Sequence, residues 1–203
     1  MKPVTPKTLK WVGVYCGSRD GARPIYREAA TELGRVLAKN SLGLVYGGAH
    51  SGLMGAVADG VLRGGQSVTG VLPRGLARAE FAHPKLTTLH LVESMHERKA
   101  LMEKLSDAFV AMPGGFGTLD ELFEILTWAQ VGLHAKPVGL LNVDGYWDPL
   151  EEQIHRSFEE GFIPSNLLTA LVVEKTPEAL IDRLLLHQPP ASAITWIRPS
   201  GGH

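Results

Sequence analysis

The sequence predicts an α/β fold: a doubly wound, mainly parallel sheet of about seven strands with helices on both faces. Two observations carry this reading. Short apolar runs of strand length alternate with longer segments of helical periodicity along nearly the whole chain. Small-residue turns, at Gly17-Ser18, at Gly47-Gly48 and from Pro113 to Gly117, each follow the carboxyl end of an expected strand, the edge where open α/β sheets bind ligands.

Trp11-Val12-Gly13-Val14-Tyr15 reads as the first strand and ends at Cys16-Gly17-Ser18. Pro24 suits a first helical position, where its missing N–H is no loss, and apolar residues recur at helical spacing from Ile25 to Lys39. Leu42 to Tyr46 is a second strand, and Ser51 is a candidate cap for a helix from Leu53 to Leu62. Gln66 to Leu72 and Thr87 to Val92 read as strands on either side of an irregular section, Pro73 to Pro84, that holds Arg74, Arg78 and Glu80. Ser94 and Glu97 form a capping-box pattern that opens a helix at Met95, running through Leu105. Ala108 to Met112 is a strand, and a helix follows Gly117. Pro137 to Val143 is the sixth strand, and Asp148-Pro149-Leu150-Glu151 has the cap, proline and glutamate of a helix start. Leu171 to Glu174 and a helix opened by Thr176-Pro177-Glu178 complete one domain, residues 8–188. The Pro-, Gly- and Ser-rich tail, 189–203, has little to bury and is expected to be flexible.

Composition narrows the function. A formal net charge of -1 and a pI near 6.7 give no general attraction to nucleic acid or to an anionic membrane, so an anionic ligand has to be recognised locally. The single cysteine, Cys16, excludes an internal disulfide and fits a reducing compartment. The first residues lack the apolar core of a signal peptide, and no apolar run approaches the roughly 20 residues of a membrane span. The expected location is cytoplasmic. The eight histidines show no metal-ligand spacing, and neither a P-loop nor a Gly-x-Ser-x-Gly elbow is present.

The segment Pro113-Gly114-Gly115-Phe116-Gly117-Thr118-Leu119-Asp120-Glu121 joins a strand to an amphipathic helix. A glycine turn there offers backbone N–H groups to a phosphate. Gly115-Phe116-Gly117 supplies only half of a dinucleotide fingerprint, and Asp120 stands where the third glycine belongs, so a mononucleotide fits better. Glu121 has two readings. Thr118-x-x-Glu121 matches a capping box, but a carboxylate beside a phosphate turn suffers repulsion that a purely structural residue could avoid. Arg98 also has two. Near a helix start a cation opposes the dipole at a cost of about 0.3–1 kcal/mol when exposed. Arg98 is therefore either a solvated surface charge or a group that faces a phosphate or a developing negative charge.

Together with Met95-His96-Glu97-Arg98-Lys99, this segment resembles the LOG ("Lonely guy") family, the cytokinin riboside 5′-monophosphate phosphoribohydrolases, whose motif is Pro-Gly-Gly-x-Gly-Thr-x-x-Glu. Further similarity lies in Tyr15-Cys16-Gly17-Ser18, in Tyr46-Gly47-Gly48-Ala49 with Gly52-Leu53-Met54-Gly55, and in Lys136 to Asn142, and extends over residues 10–185. The resemblance implies a Rossmann-like homodimer that needs no metal or organic cofactor. The implied reaction hydrolyses the N-glycosidic bond of adenine or N6-prenyladenine riboside 5′-monophosphates, AMP included, to free base and ribose 5-phosphate. It implies Arg98 and Glu121 as the catalytic pair, and nucleotide contacts from Glu80, Arg98, Lys99, Gly115, Phe116, Gly117, Thr118, Leu119, Asp120, Glu121 and Thr127. The alternative on the same fold is a non-catalytic nucleotide or phosphorylated-cofactor binder, like a molybdenum-cofactor carrier, which has no need of the Arg98 and Glu121 pair. Many members were once labelled lysine decarboxylases, but no lysine here has an evident claim to a pyridoxal phosphate Schiff base.

Overall fold

Strands that are apolar at every position need cover on both faces, and the central strands have it. The structure, a computed structural model, describes residues 9–76, 82–164 and 171–187. Within them β1 (Trp11–Tyr15), β2 (Gly43–Tyr46), β3 (Val68–Pro73), β4 (Thr88–Val92), β5 (Ala108–Ala111), β6 (Val138–Leu141) and β7 (Leu171–Glu174) form one sheet in the order β4-β3-β2-β1-β5-β6-β7. Every pairing is parallel, as the strand–helix alternation predicts. All residues of β2, β5 and β6 are buried, whereas β4, at one edge, leaves Leu89 and Leu91 exposed. The chain steps outward from β1 to β4, then returns to lay β5 on the other side of β1. The switch point of the sheet therefore lies between β1 and β5, where Val12 pairs with Ala108 and Tyr15 with Ala111.

Among the described residues the helices are α1 (Pro24–Lys39), α2 (Gly52–Arg63), α3 (Met95–Leu105), α4 (Phe116–Gln130), α5 (Asp148–Glu159) and α6 (Pro177–Leu186). Alternating strand residues feed two cores. Val12, Val14 and Val110 pack with Leu33 and Leu37 of α1, Val57 of α2 and Leu180 of α6. Tyr15 and Phe109, stacked at 5.8 Å, face Met102 of α3 and Leu122 and Ile125 of α4 on the other side. Among the described residues no helix is long and apolar enough to cross a membrane.

The helix starts divide the sequence expectations. Ser94 caps α3 as its pattern predicts: its Oγ accepts from the Glu97 N–H at 3.1 Å, and the Glu97 carboxylate reaches back to the N–H of Glu93. Ser51 holds the N-cap position of α2 but makes no side-chain cap bond. Asp148 lies inside α5 instead of capping it, because its carboxylate, with that of Glu151, accepts from the buried Asn142 amide. The capping-box reading of Thr118 and Glu121 is overturned. α4 begins at Phe116 with Gly115 as its N-cap, so Thr118 sits in the first turn and Glu121 in the second, both buried. Glu80 and Arg78, and the tail from 189 onward, fall outside the described residues.

Candidate active site

The site gathers where the turns after β1, β2 and β5 meet the starts of α3 and α4. After β1, Gly17 is held from both sides: its N–H donates to Pro113 O at 3.0 Å, and its carbonyl accepts from the Leu53 N–H at 3.1 Å. The first amides of α2 are thereby spent on the backbone. α4 differs. Among the described residues no side chain caps it, and its first-turn N–H groups, which have no intrahelical partners, stand at the mouth of a cleft of about 590 Å³ lined by Gly115, Phe116, Gly117 and Thr118. Phe116 is 91% exposed there, and the dipole makes this end attractive to an anion. Gly114 keeps the turn tight, since a Cβ would come within 2.1 Å of Thr118 Oγ1 and 2.9 Å of the Gly17 nitrogen.

Arg98 and Glu121 meet in the floor of this cleft. The Arg98 side chain crosses from α3 under the sheet edge, where Nε donates to Val71 O of β3 at 3.2 Å. Its Nη2 lies 3.3 Å from Glu121 Oε1, and the two side chains are only 12% and 8% exposed. Gly47 leaves room for the guanidinium: a Cβ there would stand 2.1 Å from Nη2. Arg98 is thus not a solvated surface cation.

Glu121 Oε1 is buried without an aligned hydrogen bond among the described residues. Burial disfavours its charge and pushes its pKa up to about 7. Arg98 and Lys99 oppose that rise, and the carboxylates of Asp120 and Glu124 add to it. A carboxyl group poised near neutrality in a cleft is equipped to accept and return a proton. Cys16 also lines the cleft, but burial, reinforced by Glu121, pushes its thiol far above the usual range, so it is no nucleophile.

Four other residues that the resemblance assigns to the nucleotide do not line the cleft. Lys99, Leu119 and Asp120 lie beside it, with Lys99 Nζ 3.1 Å from Asp120 Oδ2. Thr127 lies in a separate apolar groove between α4 and α5, and its hydroxyl donates to Phe123 O at 2.7 Å. Sequence reasoning missed the far rim. Tyr26 and Tyr146 line the cleft with ring centroids 5.8 Å apart, and the Tyr146 hydroxyl donates to Gly114 O. Arg23 stacks over the Tyr26 ring and pairs with Asp144. Only Asp144-Gly145, a turn after β6 at the same sheet edge, offered a signal for this rim.

Comparison with known proteins decides the family. The chain is 46% identical, over 92% of its length and 76% of the relative's, to a probable cytokinin riboside 5′-monophosphate phosphoribohydrolase of Oryza sativa subsp. japonica. It is 44% identical, over 94% of its length and 88% of the relative's, to a cytokinin riboside 5′-monophosphate phosphoribohydrolase of Arabidopsis thaliana. This chain belongs to the LOG family. The matching family model, described as possible lysine decarboxylase, spans residues 54–184. The LOG-family cleft does not fit that description, since no lysine is among the described residues lining it and a pyridoxal phosphate Schiff base has no amine to form on. Among solved structures, the molybdenum cofactor carrier protein of Chlamydomonas reinhardtii superimposes with a TM-score of 0.66 at 23% identity, covering 88% of this chain and 99% of that one. That likeness concerns the LOG-family fold alone.

Proposed function

We propose that this protein hydrolyses the N-glycosidic bond of adenine-type nucleoside 5′-monophosphates, plain or N6-prenylated, releasing the base and ribose 5-phosphate. The observation that carries the proposal is Glu121: a buried carboxyl group with a pKa near 7, facing Arg98 below an uncapped helix start. The names of the relatives point to the same chemistry.

In this reading the N–H groups of Gly115, Phe116, Gly117 and Thr118 hold the 5′-phosphate and fix the ribose over Glu121. Breaking the bond builds positive charge on the sugar, which ionised Glu121 stabilises while it takes a proton from the attacking water. The hydroxide oxygen bonds to the anomeric carbon, the glycosidic electron pair leaves with the base, and the proton on Glu121 returns to that base. Arg98 stays protonated throughout, so its part is electrostatic: it faces the charge of the departing purine and of the phosphate. No step calls for a metal or an organic cofactor. Incubation with AMP and with prenylated AMP should release free base from both. Glu121→Gln should keep nucleotide binding while lowering turnover at least about 10²-fold. Binding of nucleotide with no base released by the unaltered protein would favour a carrier.

The reading includes a cytoplasmic homodimer formed through the α4–α5 face. α5 buries none of its residues, and Phe123 and Phe162 are exposed beside the groove that holds Thr127. In such a pair Thr127 serves the nucleotide of the partner. Sedimentation equilibrium should give twice the chain mass.

A further inference from the structure

A phosphate monoester carries about −1.5 to −2 charges at neutral pH, and a helix start offsets only about half of one. The rest has to come from cations of the cleft. Among the described residues lining it, four are charged: Arg19, Asp20, Arg98 and Glu121. Arg98 shares its charge with Glu121. Asp20 is neutralised from outside the cleft by Arg27, whose Nη1 lies 2.6 Å from Asp20 Oδ1. Arg19, in the turn between β1 and α1, is exposed and makes no hydrogen bond or ion pair among the described residues. The other arginine near this rim, Arg23, stands over the Tyr26 ring and pairs with Asp144. One positive charge on the cleft wall is thus left without a protein partner, and it is that of Arg19.

The backbone that carries this charge is fixed. The Gly17 carbonyl accepts from the N–H groups of Leu53 and Met54 at 3.1 and 3.4 Å. Gly52, at φ +61°, lets the start of α2 press on the turn, where a Cβ would stand 2.4 Å from the Arg19 nitrogen. Gly17 itself lies against the glycine turn after β5: its N–H donates to Pro113 O, and a Cβ on it would be 3.5 Å from Gly114 Cα. Arg19 is therefore rooted two residues from the contact between the two turns, on the wall of the cleft that α4 opens into. We propose that Arg19 is a binding residue for the 5′-phosphate, closing on it from the β1 side while the first amides of α4 hold it from the other. A planar guanidinium can give two parallel N–H bonds to two phosphate oxygens, and it brings the charge that the helix start lacks. No ion pair has to break for it to turn to the ligand. The proposal rests on the reading of this cleft as a nucleotide site.

A phosphate ligand far from the reacting bond contributes equally to ground state and transition state, so its loss appears in KM and not in kcat. Arg19→Gln, which keeps a polar side chain and removes the charge, should raise KM for AMP on the order of ten- to a hundred-fold with kcat within about threefold of normal. Calorimetric titration should show ribose 5-phosphate binding weakened by the same factor, while binding of adenosine, which has no phosphate, stays unchanged. Arg19→Lys keeps the charge without the fork and should give intermediate values. Unchanged KM and unchanged ribose 5-phosphate affinity in Arg19→Gln overturn the proposal. Equal weakening of adenosine also overturns it, since the substitution would then have deformed the cleft instead of removing a phosphate contact. Absence of base release from AMP by the unaltered protein would overturn the hydrolytic reading, and the ribose 5-phosphate titration would still decide the part of Arg19.

Discussion

At the scale of single residues, the Arg98 and Glu121 pair shows how one contact can hold a group in a reactive state. A buried carboxylate alone would be protonated at neutral pH; a tightly bonded one would be permanently ionised and inert. Glu121 sits between these limits because Arg98 Nη2 approaches to 3.3 Å without an aligned hydrogen bond. Arg98 is itself held by Val71 O, so it cannot swing to improve the alignment without losing that bond. Arg98→Lys preserves charge but discards the Nε donor and the planar fork. It should lower kcat/KM for AMP by about 10- to 100-fold, roughly the worth of one lost charge-assisted hydrogen bond. Steady-state kinetics that match the unaltered protein would assign Arg98 no part beyond its charge.

At the scale of elements, the glycines decide where helices may begin. The strand runs and the order of turns were legible because each apolar run is short and ends in small residues, and the cap at Ser94 was legible because it is a local bond. The start of α4 was not. Thr118-x-x-Glu121 has the residues of a capping box, but two glycines before it let the helix begin nearly a turn earlier, and the Thr118 side chain is then driven inward against Gly114. A local pattern lost to a packing contact between the turns after β1 and β5. The placement of Thr127 was equally hidden, since only the rotation of α4 sends it to the groove with Ile154 and Ile163. Gly114→Ala tests the packing. Its Cβ would strike Thr118 and the backbone of Gly17, where nothing flexible can yield. Overpacking of this kind costs about 1–3 kcal/mol, and the tilted α4 start should raise KM for AMP more than it lowers kcat. Thermal unfolding and kinetics on the same preparation would read both effects.

At the scale of the whole molecule, the doubly wound sheet was predictable because its logic is global and repetitive, and its switch point explains why three separate turns serve one cleft. The fold also bears a cost for the site it positions. A carboxyl group that titrates near 4.5 in the unfolded chain and at about 7 in the fold binds its proton more tightly when folded. Between those values the folded state holds more protons than the unfolded one, so stability falls as pH rises through the window and stays low above it. At about 1.4 kcal/mol per pKa unit, the penalty approaches about 3 kcal/mol above pH 7 and vanishes below the unfolded value. The attraction of Arg98 is already included in that balance, since it is one of the causes that set the folded pKa. Glu121→Gln, neutral at every pH, should therefore unfold at higher denaturant than the unaltered protein at pH 8, and at nearly the same denaturant at pH 4. Because the stabilised variant is also the one expected to lose turnover, the two measurements together test whether this buried charge is kept for chemistry at the expense of stability. Equal denaturation midpoints at pH 8 would mean that the fold solvates Glu121 well enough to ionise it freely, and its proton-transfer role would lose its physical basis.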